Sequence, residues 1–105
     1  MSRLKDGRWG TRINPDKQAP HMESTRVEGR SYFNNNVDVQ SLFDKYAGTG
    51  RVERDGRGRT NKEIVLLSEN NDVGFVVSLK GIKKANALKI HHSKKRTHIV
   101  AHYQE

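Results

Sequence analysis

Between Asp38 and Gly50 the apolar residues Val39, Leu42, Phe43 and Tyr46 recur at three- and four-residue intervals in DVQSLFDKYAGTG. That spacing gathers them on one stripe and predicts a helix over residues 38–47. Asp38 is placed to cap its N-terminus, Gly48 to end it, and Gly50 strengthens the break. After Gly50 the apolar period drops from helical to alternating. RVER, TNKEIVLLS, VGFVVSL, ALKIHHS and THIVAHY all carry strand patterns. DGRG reads as a hairpin after the first, ENND as a turn, KGIKKAN as a basic connection, and KKR as the tip of the last hairpin. Residues 1–36 hold no sustained period and mix Gly, Pro, Asn and charge. Their apolar anchors are Leu4, Trp9, Ile13, Val27, Tyr32 and Phe33. Such a segment is either a poorly ordered arm or a strap tied to the body through those anchors. The predicted fold class is α+β: one domain over 1–105, with an N-terminal arm and a helix packed on a four- to five-stranded antiparallel sheet spanning 51–105.

The final hairpin has a clear division of faces, because side chains alternate along a strand. Leu88, Ile90 and His92 share one side of its first strand, and Lys89, His91 and Ser93 the other. In its second strand Ile99, Ala101 and Tyr103 oppose His98, Val100 and His102. A turn centred on Lys95 and Arg96 predicts Ser93 opposite His98, His91 opposite Val100 and Lys89 opposite His102, with Ile90 facing Ala101 and Leu88 facing Tyr103. In that register both strands agree on their apolar side. The other side collects Lys89, His91, Ser93, His98 and His102, with His91 and His98 as diagonal neighbours roughly 7–8 Å apart.

Composition narrows the partners. The 105 residues carry 20 Lys+Arg against 12 Asp+Glu, a formal net charge of +8, which favours polyanions such as nucleic acid, an anionic membrane surface or an acidic protein. Only 32% of residues are hydrophobic, so the core is small. Cysteine is absent, which excludes disulfides, thiolate catalysis and cysteine-bound zinc. No apolar run reaches the roughly 18 residues of a membrane span, and MSRLKDGRWG lacks the apolar stretch of a signal peptide. Export, where it occurs, is expected to depend on something outside this sequence.

The polar face of the hairpin suits metal-independent cleavage of RNA, in which the 2′-hydroxyl attacks the adjacent phosphorus. That reaction needs a base for the 2′-OH, an acid for the leaving 5′-oxygen and cations for the growing phosphate charge. Histidine serves as either acid or base near neutrality. His92 points to the apolar side and is expected to be a packed core residue. Lys94, Lys95 and Arg96 are turn cations, either solvated or in contact with phosphate. His98 and His102 stand four apart, which on a strand is about 13 Å and too far to share one ion. No metal and no cofactor is expected. The glycines at 48, 50, 56 and 58 form no phosphate loop, since no GK[ST] follows, and Ser93 lies in no nucleophile elbow.

Five segments, KQAPHM, GRSYF, LFDKYAGTG, TNKE and IHHSKKRTHIV, resemble in order and spacing the type 50 polymorphic toxin domain. This domain also occurs at the C-termini of phage Mu-type minor head proteins. The resemblance covers residues 15–100 or so. It implies a ribonuclease toxin of the superfamily that groups barnase, EndoU, colicin-type nucleases and RelE, with helices packed on an antiparallel sheet. It further implies the C-terminal tip of a larger delivered effector, action in the target cell's cytoplasm, and a dedicated immunity protein. Carried onto this chain, the matching positions are His21, His91, Ser93, Lys94, Thr97 and His98. Two positions depart from the pattern: histidine stands at 92 where tyrosine is usual, and HIVA replaces HIVP. The expected catalytic set is therefore His21, His91, Ser93, Lys94, Thr97 and His98, with Lys89, Lys95, Arg96 and His102 contacting RNA. The expected partners are an RNA, with tRNA the common choice of such toxins, and an acidic immunity protein. The domain is expected as a monomer or as a heterodimer with that protein. The competing expectation is a non-catalytic basic nucleic-acid-binding module or a phage head-associated domain.

Overall fold

The computed structural model describes residues 9–54, 61–68 and 71–105. Within them the chain forms two short helices and seven strands. Helix α1 (Pro15–Gln18) starts where Asn14 accepts a hydrogen bond from the Lys17 amide at 3.0 Å, with proline at its first position. A 3-10 turn follows over Ala19–His21, and then strand β1 (Tyr32–Phe33). Helix α2 (Val39–Tyr46) is capped as its sequence predicts, with the Asp38 carboxylate accepting from the Ser41 amide at 3.1 Å. Gly48 follows in the left-handed region, at φ +87°, where a Cβ is disfavoured. The remaining strands are β2 (Arg51–Glu53), β3 (Lys62–Leu66), β4 (Gly74–Ser78), β5 (Gly81–Lys84), β6 (Ala87–His91) and β7 (His98–His102).

The strands do not form the single sheet expected. They form two antiparallel sheets, one ordered β1-β4-β5 and the other β2-β3-β6-β7. Tyr32–Phe33 pairs with β4, and the basic stretch after Lys80 is itself strand β5 rather than a connection. The DGRG hairpin and the Leu4 anchor lie outside the described residues, as does part of ENND. β2 and β3 nonetheless pair antiparallel.

The core joins both sheets. Phe33, Phe43, Val65, Leu88, Ile90, Ile99 and Ala101 are buried together, and Ile13, Val39, Leu42 and Tyr46 pack around them. The stripe predicted for α2 is thus the face it buries. Glu63, on β3, is buried beneath the turn after α2. Its carboxylate accepts from the Gly48 amide at 3.0 Å, the Gly50 amide at 2.6 Å and His92 Nε2 at 2.7 Å. A Cβ on Gly50 would collide with the Ile64 carbonyl, so the close approach of this turn to β3 requires glycine.

The described part of the arm is a strap. The Gly10 amide donates to the Ser93 carbonyl and the Asn14 amide to the Thr97 carbonyl, both at 2.8 Å. Gln18 is buried and takes the place of a neighbouring strand. Its amide oxygen accepts from Ile99 N at 2.8 Å and its amide nitrogen donates to Ile99 O at 2.9 Å. The edge of β7 is closed there by one side chain.

Candidate functional site

β6 and β7 pair with His91 opposite His98, Ile90 opposite Ile99 and Leu88 opposite Ala101. The register is shifted by two residues from the one a turn at Lys95-Arg96 would set. The connection closes instead through Thr97, whose hydroxyl donates to the Ser93 carbonyl at 2.8 Å and accepts from the Ser93 amide at 3.2 Å. A shift of two preserves the faces. His91 and His98 therefore remain on the same side but become direct partners instead of diagonal ones.

Their rings stack, with centroids 4.6 Å apart and planes 13° from parallel. The arm adds a third ring. α1 and the 3-10 turn deliver His21 against His98, at 5.8 Å and 11°. His98 is thus sandwiched between one imidazole from its neighbouring strand and one from the arm. His21 Nδ1 lies 3.0 Å from the Ser31 carbonyl, and His98 Nδ1 lies 3.0 Å from the Arg96 carbonyl. A carbonyl only accepts, so each Nδ1 carries the hydrogen and each Nε2 is left to exchange a proton.

The row through His91 and His98 continues across the sheet: Glu53, Lys62, His91 and His98 are successive partners on β2, β3, β6 and β7. Lys62 is therefore a site cation that the sequence pattern did not reveal, since β3 had to be aligned with β6 to place it. The next row on the same face brings Lys89, which pairs with Glu53 at 3.2 Å. Burial lowers the His91 pKa to about 3, helped by His98, Lys62, Lys89 and His21. Burial also lowers that of His21; the Ser31 carbonyl opposes this, while His98 and Arg30 add to it. His91 is accordingly neutral at physiological pH.

Not every expected residue reaches this cluster. Thr97 is fully buried, and its hydroxyl is engaged by main-chain groups of Ser93 in the turn and Gly10 in the arm, so it shapes the connection and does not face solvent. Ser93 is half-buried, and its hydroxyl oxygen accepts from the Arg96 amide at 3.2 Å. Lys94, Lys95 and Arg96 are exposed at the tip beside the stack. His102 pairs with Ala87, about 13 Å along β7 from His98, and sits near Gln104 instead. His92 is buried on the opposite side, as its position in the pattern predicts. Among the described residues no group of three or more His, Cys, Asp or Glu side chains is placed to hold a metal ion. Besides Lys62, the site residues that sequence reasoning missed are Gln18, which fixes the arm to β7, and Ser31, which fixes the ring of His21; the signal for all three was their place in TNKE, KQAPHM and GRSYF.

The family model described as bacterial toxin 50 matches residues 13–101, which include α1, both sheets except His102 at the end of β7, and all three stacked histidines. Among curated proteins no match is found.

Proposed function

Because this chain belongs to the bacterial toxin 50 family, we propose that its histidine stack is the active site of a metal-independent endoribonuclease. The observation that carries this is the convergence of His21, His98 and His91 on one sheet face, flanked by Lys62 and Lys89. Burial, with the neighbouring cations and imidazoles, makes His91 and His21 resist protonation in the protein alone. A phosphodiester brings negative charge, which offsets the repulsion and lets one ring hold a proton while another stays neutral. That is the state a paired acid and base require.

In this mechanism neutral His91 takes the proton of the 2′-hydroxyl. The 2′-oxygen bonds to phosphorus, the bond from phosphorus to the 5′-oxygen breaks, and His98 Nε2 gives its proton to that leaving oxygen. The products are a 2′,3′-cyclic phosphate and a 5′-hydroxyl. Lys62 and Lys89 stabilise the charge on the non-bridging oxygens, and Lys94 and Ser93 hold the phosphate from the turn. His21 supports His98 from the arm. Thr97 is a positioning residue, keeping the turn closed beneath them. Lys95 and Arg96 contact the backbone of the RNA farther out, and His102 lies toward its other end.

The cell biology proposed with this chemistry is that of an effector's toxin domain acting in the cytoplasm of a target cell. The fold is proposed to belong with barnase, EndoU, colicin-type nucleases and RelE. A net charge of +8 suits an acidic immunity protein that occupies the RNA path. The deciding experiment incubates the pure domain with total RNA in EDTA. Fragments ending in cyclic phosphate, lost in His91→Ala and in His98→Ala, support the nuclease. Intact RNA bound equally by wild type and both variants supports a binding module instead.

A further inference from the structure

We propose that the outer face of the β1-β4-β5 sheet is a stacking platform for an unpaired base of the RNA whose scissile phosphate lies at the histidine stack. The proposal rests on the ribonuclease function and adds a substrate class, single-stranded RNA. Tyr32 and Phe75 are cross-strand partners, with ring centroids 5.8 Å apart and planes tilted by 42°. Lys84 is the next partner in that row. The Arg26 guanidinium carbon lies 4.5 Å above the Tyr32 ring. Alternation extends the same face through Val77 and Ile82, the latter 61% exposed. A solvated sheet face ordinarily carries polar side chains. This one carries two rings and two aliphatics, with Arg26 over Tyr32 and Lys84 beside Phe75 as its cations.

A hard-wired link joins this face to the histidines. Ser31 immediately precedes Tyr32; its carbonyl accepts from His21 Nδ1, and its hydroxyl accepts from the Val77 amide at 3.0 Å. The platform thus begins one residue from the group that fixes the arm histidine. Aromatic faces with cations at their margin fit a base and its phosphate, because the ring meets the base and the cations meet the backbone. A paired base offers no free face, so the platform selects single strands. An apolar protein segment would have no use for a guanidinium already seated on one ring.

The test uses the His91→Ala/His98→Ala protein, so that RNA stays intact, and a short single-stranded RNA carrying one 2-aminopurine. Expected are binding with quenching of the 2-aminopurine, and at least tenfold weaker binding by the duplex of the same sequence. Tyr32→Leu and Phe75→Leu should each weaken binding about tenfold and abolish the quenching. Phe75→Trp should keep both, which separates loss of stacking from loss of folding. Unchanged binding and quenching in the leucine variants, or losses only in Arg26→Ala and Lys84→Ala, would overturn the platform. Wild-type cleavage is scored in parallel. Stacked binding without cleavage removes the nuclease and leaves the platform, whereas cleavage with insensitive leucine variants does the reverse.

Discussion

His91 and His92 are neighbours in the chain and opposites in everything else. His92 turns inward, 7% exposed, with Nε2 on the Glu63 carboxylate and its ring between Trp9 at 6.2 Å and Phe43 at 5.9 Å. His91 turns outward into a stack of imidazoles beside two lysines. One residue of β-strand reverses the side-chain direction, so two identical side chains meet opposite electrostatics. A carboxylate fixes the hydrogen on His92 Nε2 and makes that ring a structural donor. Burial, helped by cations and the other imidazoles, keeps His91 a neutral acceptor. What an imidazole does here is set by what it faces, and that depends on strand pairing more than on its neighbours in sequence.

The contrast breaks most visibly on activity. His91→Ala and His98→Ala are each expected to lower RNA cleavage by about 10²- to 10⁴-fold, the usual worth of a positioned acid or base. Their urea unfolding midpoints should stay near wild type, because the rings lie on a half-exposed face. His92→Ala should do the converse. It strips the buried Glu63 carboxylate of a donor and opens a cavity beside Phe43, a loss of about 3–5 kcal/mol in stability measured by urea unfolding. Cleavage per folded molecule should survive. Equal activity losses in the inward and outward variants would remove the distinction.

How much of this could be read from the chain depends on how local the cause was. The helix was legible because a cap, a stripe and a terminating glycine sit within a dozen residues of one another. The faces of β6 and β7 were legible because alternation survives any even shift in register. The register itself was not, since the hairpin is closed by the Thr97 hydroxyl on Ser93 rather than by a tight turn around Lys95 and Arg96. The second sheet was hidden for different reasons. β1 is two residues long, and β5 is exposed along its whole length, so neither shows an alternating pattern. Of the stack, His91 and His98 follow from their strands, and His21 follows from family resemblance alone. Lys62 and Gln18 act across long sequence separations, so that only their place in TNKE and KQAPHM marks them.

Acid should sharpen the contrast, because both sites lose stability in the same direction by different routes. His91 has a folded pKa of about 3 against an ordinary value of 6.5. Below 6.5 the unfolded chain binds a proton that the folded one refuses, so stability is full above 6.5 and declines down to about 3. His21 and His102, also lowered chiefly by burial, add to this decline. For Glu63, burial raises the carboxyl pKa, but His92 and the Gly48 and Gly50 amides outweigh it and the net shift is downward. Its contribution is present above the ordinary carboxylate range and is lost as pH falls through the lowered value. Urea midpoints should fall from neutral pH to about pH 4, and His91→Asn should flatten the upper part of that curve while leaving the carboxylate part. An unaltered curve in His91→Asn would mean that the outward ring is not held neutral by its surroundings.

The smallest effect is expected where the inward histidine is exchanged for tyrosine, the residue that the resemblance implies at this position. A tyrosine at 92 keeps an aromatic ring between Trp9 and Phe43 and can aim its hydroxyl at Glu63, the hydrogen-bond partner of His92 Nε2. The imidazole leaves its buried Nδ1 without a partner among the described residues, and a phenol has no such atom. Against that gain stands the larger ring, and overpacking a tight core costs about 1–3 kcal/mol. The two nearly cancel, so His92→Tyr should lie within about 1.5 kcal/mol of wild type by urea unfolding, with cleavage unchanged. A loss as large as that of His92→Ala would show that the pocket is shaped for imidazole itself. The inward position would then demand histidine as strictly as the outward one.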